Sequence, residues 1–590
     1  MWTRYAGLDR VGWTRELGAV VAVCAALSAA CQGQDVDREE SADFGVQVAA
    51  LSGPCGNTAE KNPFSDVKTF QIVVRDREPG KEGKKPMVAP VSIPLGNGQK
   101  AITVPNIPAG VREVTLLGYA AGALEPSWFG RHRSVKVAKT ATSDIHLTIM
   151  KLEGFSCVSQ GTMPNVMFPA AVPIANGKVL ITGGFGHTGD DAGGKDLVLE
   201  SPKDTAYLYD PAVGQLTQLT QRMKEARAGH AMVYLVKLNK VLIVGGAKKM
   251  LVRADGSEPP RWKPEDAANL PFEVFDVLKE KFEEAPGKEF VRKRVLPNLM
   301  TLSDDSVVVM GGAPWPQIDD PAYQQSDLFT PRTGGFEDTK GALPLNLSRT
   351  GAAVAFMGQT AVGTRKYLIW AGNAARAGDG KNTPIAERFK ESTDQGQGEF
   401  FGDFTIEGDY PAAQSLFFPS LVSLGVSRDA AGTALDDGRF LAVGGVRHDG
   451  SKWLAPSKDD VYLLTVKEKT DTAKARITTK RVAGLAAGVY LHQAVAAGPD
   501  HVMILGGFSS FDQPASFGLQ AFDSVAGKLL EVGATAASKQ FVVRGAHAAV
   551  ALSNDCVLGF GGTDTWAAMK QNTQVVADIY CPGLLKPPLK

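Results

Sequence analysis

One local pattern occurs seven times in this sequence: an apolar run that ends in a pair of small residues, nearly always Gly-Gly. The seven runs are VLITGG (179–184), VLIVGG (241–246), VVVMGG (307–312), YLIWAG (367–372), FLAVGG (440–445), VMILGG (502–507) and VLGFGG (557–562). Successive copies lie 55 to 73 residues apart. A period of this length is typical of a repeated supersecondary unit, so most of the chain is predicted to be a repeat protein.

Each repeat also predicts its own strands. Short runs of apolar and β-branched residues bounded by turn residues are typical of β-strands, and each unit contains three or four of them. Four-stranded units in series indicate an all-β fold, a β-propeller. Glycine suits the end of a buried strand because no side chain then blocks the turn or a neighbouring backbone. The paired glycines with this predicted role are Gly183, Gly184, Gly245, Gly246, Gly311, Gly312, Gly444, Gly445, Gly506, Gly507, Gly561 and Gly562.

The best-preserved unit combines RAGHAMVYL (227–235), VLIVGG (241–246) and FEVFD (272–276). This order of Arg-x-x-His, Gly-Gly and an aromatic-Asp pair resembles the kelch repeat, and the long units resemble bacterial propellers of the galactose-oxidase central-domain type. The resemblance covers about residues 154–582 and implies a seven-bladed kelch-type β-propeller. Because the last unit lacks a fourth strand, the strand-like segment at 154–160 is predicted to complete it and close the ring.

The first 43 residues predict export. Residues 1–31 contain scattered arginines and the run GAVVAVCAALSAA, which is too short to span a membrane and is typical of a signal peptide. The segment LSAAC at 27–31 resembles a bacterial lipobox, which implies a lipid on Cys31 and, with Gln32 next to it, the outer membrane. Ordinary cleavage after Ala30 is the alternative. The acidic stretch at 32–43 predicts a disordered tether.

Two more segments flank the repeats. About seven short alternating strands between residues 44 and 152 predict a small β-sandwich, either Ig-like or transthyretin-like. Within it, the segment around NIPAG resembles the transthyretin-like domains of bacterial surface proteins. Residues 583–590 are rich in Pro and form a C-terminal tail.

The predicted export of the chain indicates how its cysteines are used. Four remain beyond Cys31, and an even number in an exported chain predicts two disulfides. Cys556 opens the second strand of the last unit and Cys581 ends its third, so these two are the favoured pair, which leaves Cys55 with Cys157. A Cys157–Cys581 bond is the alternative. The spacing does not match a cysteine metal site.

The sequence contains no motif of a known catalytic type, so we predict no catalytic residues, no metal and no cofactor. Lys+Arg and Asp+Glu both number 63, so the net charge is zero, which argues against nucleic acid as a partner because that would favour a basic face. His230, His492 and His547 occupy equivalent positions in three units. They could approach the central channel and bind a metal, but recurrence within a repeat favours a structural role.

Two long insertions, at 247–271 and 373–400, follow second strands and are predicted to emerge on one face. Loops of this length are often functional. Arg261 and Trp262 in one, with Phe400 and Phe401 at the end of the other, are residue types that interfaces favour. We therefore expect a surface-anchored, non-enzymatic protein that binds a protein or a glycan on this face. The kelch resemblance implies an alternative, a periplasmic or surface carbohydrate enzyme of the isomerase or oxidase type.

Overall fold

The computed structural model describes residues 41–51, 67–76, 91–94, 101–138, 144–159, 164–253, 255–262, 270–283, 292–312, 324–337, 345, 349–360, 362–372, 385–393, 397–402, 404–411, 415–427, 436–449, 452–468, 474–498, 500–515, 518–530, 543–566 and 577–582. The predicted signal peptide with Cys31, most of the predicted tether, Cys55 and the C-terminal tail lie outside these residues. Residues from Ser41 onward belong to one compact unit.

The first seven strands form a sheet that folds over on itself. They are β1 (Ser41–Ala50), β2 (Thr69–Asp76), β3 (Val91–Pro94), β4 (Ala101–Pro108), β5 (Gly110–Tyr119), β6 (Trp128–Val137) and β7 (Ile145–Lys151). Their order is β3-β2-β5-β6-β7-β1-β4, with β1 and β7 parallel. Val46 and Val104 from one half share a core with Ile72 and Leu116 from the other, so the two halves form a β-sandwich. Strand β1 begins within the predicted tether because Ser41 already pairs with β4.

In the rest of the described chain the regular elements are β-strands, apart from a single-turn 3-10 helix at Ala175–Gly177. The strands are β8 (Gly154–Ser159), β9 (Ala170–Pro173), β10 (Val179–Thr182), β11 (Phe185–Asp190), β12 (Asp196–Pro202), β13 (Ala206–Asp210), β14 (Gln215–Gln218), β15 (Ala228–Leu235), β16 (Lys240–Ala247), β17 (Met250–Arg253), β18 (Glu273–Asp276), β19 (Lys281–Glu283), β20 (Asn298–Thr301), β21 (Val307–Met310), β22 (Asp327–Thr330), β23 (Gly335–Glu337), β24 (Ala353–Gln359), β25 (Arg365–Trp370), β26 (Ala386–Glu391), β27 (Gly398–Phe401), β28 (Thr405–Gly408), β29 (Ser415–Phe417), β30 (Ser420–Gly425), β31 (Gly438–Val443), β32 (Val446–His448), β33 (Trp453–Leu454), β34 (Val461–Lys467), β35 (Arg476–Arg481), β36 (Gln493–Ala496), β37 (His501–Leu505), β38 (Leu519–Asp523), β39 (Lys528–Leu530), β40 (Ala548–Ala551), β41 (Val557–Phe560) and β42 (Ala577–Cys581).

Six of these strands form two three-stranded sheets, β11-β12-β17 and β29-β32-β33. The others form seven sheets of four or five strands, termed blades 1 to 7 in chain order. They are β9-β10-β13-β14, β15-β16-β18-β19, β20-β21-β22-β23, β24-β25-β26-β27, β30-β31-β34-β35-β28, β36-β37-β38-β39 and β40-β41-β42-β8. The first strand of each blade packs against the first strand of the next, and β40 packs against β9. The all-β, propeller-like fold is thereby confirmed. Because several loops lie outside the described residues, the blade count of the complete chain stays a prediction.

A ring of left-handed residues surrounds the axis of the propeller, one from the start of each blade. Backbone hydrogen bonds join successive members at five of the seven junctions: for example, the Gly229 amide donates to the Phe168 carbonyl at 3.0 Å, and the Phe168 amide donates to the Ala546 carbonyl at 2.7 Å. The second bond links blade 1 to blade 7. This axial ring comprises Phe168, Gly229, Leu296, Gly351, Phe418, Leu491 and Ala546, with φ angles between 51° and 63°. A non-glycine residue held at positive φ requires such surrounding support.

The predicted closing strand is confirmed. Strand β8 pairs with β42, with Ser156 opposite Ile579, so a strand from before the first blade completes the last one. The disulfide joins Cys556 to Cys581 at a Cα separation of 4.4 Å, which is the pairing the sequence favoured and which excludes the Cys157–Cys581 alternative. Cys157 is also disulfide-bonded. Its predicted partner, Cys55, lies outside the described residues.

The glycine pairs lie where each blade touches the next. A Cβ atom added to Gly183 would lie 2.3 Å from the carbonyl oxygen of Arg227 in blade 2, and one added to Gly506 would lie 2.1 Å from that of Arg544 in blade 7. The following glycine uses the same carbonyl, since the Gly184 amide donates to Arg227 at 3.0 Å. Side chains are therefore excluded from these positions by the neighbouring backbone as well as by positive φ.

Candidate functional site

The ends of the strands that carry the glycine pairs define one face of the propeller, termed the Gly-Gly face. A three-stranded sheet of β11, β12 and β17 lies on it, built from the connections that follow the second strands of blades 1 and 2. This roof sheet buries Leu199, Met250 and Val252 in a cluster with Phe168 of the axial ring and Phe511 of blade 6. Packed apolar side chains therefore cover the axis on this face.

Trp262 and Arg261, which the sequence predicted as binding-loop residues, belong to this roof. The Trp262 side chain is buried in the same apolar cluster, with 1% of its surface exposed. The Arg261 guanidinium donates to Asp196 at 2.7 Å and to Glu258 at 3.1 Å, and its backbone pairs with Leu251. These residue types are common at interfaces between proteins, but here the two side chains contact other parts of the same chain.

The second insertion is also partly structural. Strands β26 and β27 are the third and fourth strands of blade 4, so the end of the predicted 373–400 loop belongs to the blade itself. Residues 373–384 lie outside the described residues. Phe400 is buried against Phe389, with ring centroids 5.0 Å apart. Phe401 is partly exposed on the other side of the strand. The four predicted binding residues therefore do not form one surface.

The three equivalent histidines are packing residues between blades. His230 is buried, and its Nε2 lies 2.8 Å from the Thr182 hydroxyl of blade 1. The imidazole of His492 contacts Gly444 of blade 5, and that of His547 contacts Gly506 of blade 6. Burial lowers the pKa of His230 to about 3 and of His492 to about 4, so both are neutral near pH 7. Their contacts are those of a structural role.

Among the described residues, four blades contain a buried arginine that precedes the first strand and pairs with a carboxylate from the third strand of the same blade. In blade 2, Arg227 donates to Glu273 at 2.7 Å and to the carbonyl of Gly245 at 3.0 Å. The arginine thereby holds the strand end that carries the glycine pair. The four pairs are Arg227–Glu273, Arg294–Asp327, Arg349–Glu387 and Arg544–Asp578. In blade 5, Arg447 of β32 instead pairs with Asp460, which directly precedes the third strand. The repeat pattern did not reveal the acidic partners, although an acidic residue recurs at the start of the third strand.

The opposite face, termed the turn face, consists of the turns that join first to second and third to fourth strands. A groove of about 1280 Å³ lies there, walled by turns of blades 2, 3 and 4. Lys237 and Thr330 line one side, and Thr360, Thr393 and Phe401 line the other. No motif marked this groove in the sequence, because its residues come from turns of three different repeats. The signal that could have found it is the concentration of Ser and Thr in these turns.

Buried carboxylates hold the walls of the groove in place. Glu391 is 2% exposed and accepts hydrogen bonds from the backbone amides of Ser303 at 2.9 Å and Arg365 at 2.7 Å, which ties blade 4 to blade 3. Asp305 accepts from the Lys237 amide at 2.6 Å and ties blade 3 to blade 2. Because these bonds cross between blades, the groove is a preformed part of the scaffold rather than a gap between loose turns.

Within the described ranges, no group of three or more His, Cys, Asp or Glu side chains is arranged to hold a metal. The same part of the chain contains no helix that is long and apolar enough to cross a membrane.

Comparisons with known proteins found a distant structural likeness and no match in sequence. No family model matches the chain, and no curated protein sequence matches it. Among solved structures, the chain is similar to a fungal alcohol oxidase of the AA5 family in complex with copper, at 12% identity and a TM-score of 0.44, over 72% of this chain and 75% of that one. It is also similar to YjhT, at 12% identity and a TM-score of 0.38, over 63% of this chain and 99% of that one. At such low identity the likeness concerns the propeller-like fold alone.

Proposed function

We propose that this chain is a non-enzymatic binding protein that docks its partner, a protein or a glycan, in the turn-face groove. The observation that carries the proposal is the contrast between the two faces. Packed side chains including Phe168 and Trp262 cover the axis on the Gly-Gly face, whereas the turn face offers a large preformed groove whose lining is both polar and apolar. A concave site with apolar surface and a few converging polar groups is a typical place for a ligand to bind.

A matched pair of tryptophan substitutions tests the proposal. Thr393 is exposed and lines the groove, whereas Thr405 is exposed on β28, outside it. On arrays of glycans and peptides, Thr393→Trp is expected to weaken binding by about tenfold or more because the indole fills the groove, and Thr405→Trp is expected to leave it unchanged. Equal binding by both variants, or no ligand for the wild-type chain, would contradict the proposal.

The carbohydrate-enzyme alternative is tested on the same proteins. Turnover of sugars or sugar alcohols by the wild-type chain, unaffected by Thr393→Trp, would favour an enzyme whose site lies elsewhere. We expect no turnover above that of a heat-denatured control.

We further propose that the protein is exported and anchored at the outer membrane through a lipid on Cys31. The signal-like segment and the lipobox-like sequence at 27–31 support this. Metabolic labelling with a palmitate analogue should mark the wild-type chain but not Cys31→Ser, and the label should co-fractionate with outer membranes. Equal labelling of both chains, or of neither, would contradict lipidation, and the second result would favour ordinary cleavage after Ala30.

A further inference from the structure

We infer that the ligand of the turn-face groove is an uncharged oligosaccharide, one sugar ring of which stacks on Phe401. This inference rests on the proposed function, because it names the class of ligand for the same groove. Three observations on the described residues carry it: the balance of charge along the walls, the density of hydroxyl groups and the setting of the Phe401 ring.

Charges of opposite sign are neighbours along the groove. Lys390 on β26 lies directly opposite Glu399 on β27, and Arg332 lies 3.9 Å from Glu337. All four side chains line the groove. The described lining as a whole includes three cations, Lys237, Arg332 and Lys390, and four anions, Asp304, Glu337, Glu391 and Glu399. Because the two signs nearly balance, the walls produce no strong field of one sign that would select an acidic or a basic ligand.

Hydroxyl and amide groups supply most of the remaining polar lining. Thr360 and Thr364 share a hydrogen bond of 2.6 Å at one wall, while Thr393 and Gln397 project from the β26–β27 turn at the other and are exposed. Such groups both donate and accept hydrogen bonds. They can therefore pair with the hydroxyl groups of a neutral sugar, which also donate and accept hydrogen bonds.

Phe401 provides an apolar platform inside this polar groove. The Arg388 guanidinium lies over its ring, 4.7 Å from the centroid, and the ring also borders the groove. Arg388 is 8% exposed, and it contacts the Phe404 ring at 5.8 Å and Glu468 at 3.7 Å. The buried Arg388 guanidinium therefore fixes the orientation of the Phe401 ring. An aromatic ring set among hydroxyl groups suits a sugar, whose ring has an apolar C–H face and a polar rim.

The two phenylalanines that flank Arg388 form a matched control. Both contact the guanidinium, but only Phe401 is among the described groove-lining residues. The probes are neutral oligosaccharides of β-linked glucose, β-linked N-acetylglucosamine and α-linked mannose, together with one acidic and one basic decapeptide, each titrated calorimetrically into the full mature chain. We expect a neutral oligosaccharide to bind, Phe401→Leu to weaken that binding by about tenfold, and Phe404→Leu to change it by less than about twofold. Phe401→Trp should restore most of the affinity.

The outcomes separate this inference from the proposed function. Equal loss in Phe401→Leu and Phe404→Leu would show that both act by holding Arg388, and it would overturn the stacking inference. Binding of a peptide but of no sugar, blocked by Thr393→Trp, would also overturn it while leaving the groove as the binding site. Sugar binding that Thr393→Trp does not affect would overturn the groove itself, and with it the proposed function.

Discussion

His230 shows, at the scale of single residues, how one blade is fixed to the next. Its imidazole contacts Gly183 and bonds to Thr182 in blade 1, while the Gly184 amide bonds to the Arg227 carbonyl in blade 2. The sequence contained both halves of this contact, since Arg-x-x-His occurs in two repeats and Gly-Gly in six. It did not show that they belong together, because the histidine of one repeat meets the glycine of the preceding repeat.

Gly506 and Gly527 distinguish two reasons why a position requires glycine: a positive φ angle, and a neighbouring backbone that leaves no room for a side chain. Both have positive φ, at 58° and 64°, but a Cβ at Gly506 would lie 2.1 Å from the Arg544 carbonyl, whereas one at Gly527 would meet nothing within 4 Å. Gly527→Ala is expected to lower the free energy of unfolding by about 1 kcal/mol from backbone strain alone. Gly506→Ala should cost clearly more. Chemical denaturation of both variants checks this, and equal losses would contradict it.

The buried histidines predict a loss of stability in acid. Burial lowers the pKa of His492 to about 4 in the folded protein, whereas an unfolded histidine titrates near pH 6.5. Stability is therefore complete above about pH 6.5 and falls toward pH 4, because the unfolded chain binds a proton that the folded chain does not. The slope is about 1.4 kcal/mol per pH unit for this residue.

His492→Gln removes this linkage. Its free energy of unfolding is expected to depend less steeply on pH between about 6.5 and 4, measured by urea denaturation at several pH values. Thr405 is exposed on β28 and does not titrate, so Thr405→Gln should leave the slope unchanged. An unchanged slope in His492→Gln would show that this imidazole is protonated in the folded protein over that range.

At the scale of elements, the strands were predictable and the connections were not. The Val/Leu/Ile run and the Gly-Gly pair of blade 2 both lie in β16, as the repeat pattern indicated. The segment that follows was expected to be an open loop, yet Met250–Arg253 forms β17 and pairs with β12 of a different repeat. A repeat pattern shows only the segments that the units have in common. An insertion that occurs in one unit has no equivalent in the others, so periodicity could not predict which strand it pairs with. The roof sheet was therefore not predictable from the repeats.

The roof is expected to contribute to stability and not to ligand binding. Trp262→Ala removes a side chain that is 1% exposed, which typically costs about 3–5 kcal/mol. Thermal unfolding should shift accordingly, while the affinity for an array ligand at 20 °C stays within about twofold of wild type. Loss of binding in a variant that remains folded by circular dichroism would place the ligand on the Gly-Gly face instead.

At the scale of the whole molecule, the sandwich and the propeller share a core. Asp555 of blade 7 accepts a hydrogen bond from Arg131 of β6 at 2.6 Å and also pairs with Arg133. Beside it, Phe129 of the sandwich and Ile579 of blade 7 belong to one apolar cluster. The sequence predicted two domains but not this contact, because its residues are far apart in the chain and follow no shared pattern. The sandwich is therefore packed against the blade that closes the ring.

Hydrogen–deuterium exchange with and without a saturating array ligand tests most directly whether the turn face is the binding face. Amides of β26, β27 and the β24–β25 turn should exchange more slowly when ligand is bound, because they form one wall of the groove. Amides of the roof strands β12 and β17 should be unaffected. Slower exchange confined to β12 and β17, with no change in β26 and β27, would contradict the account.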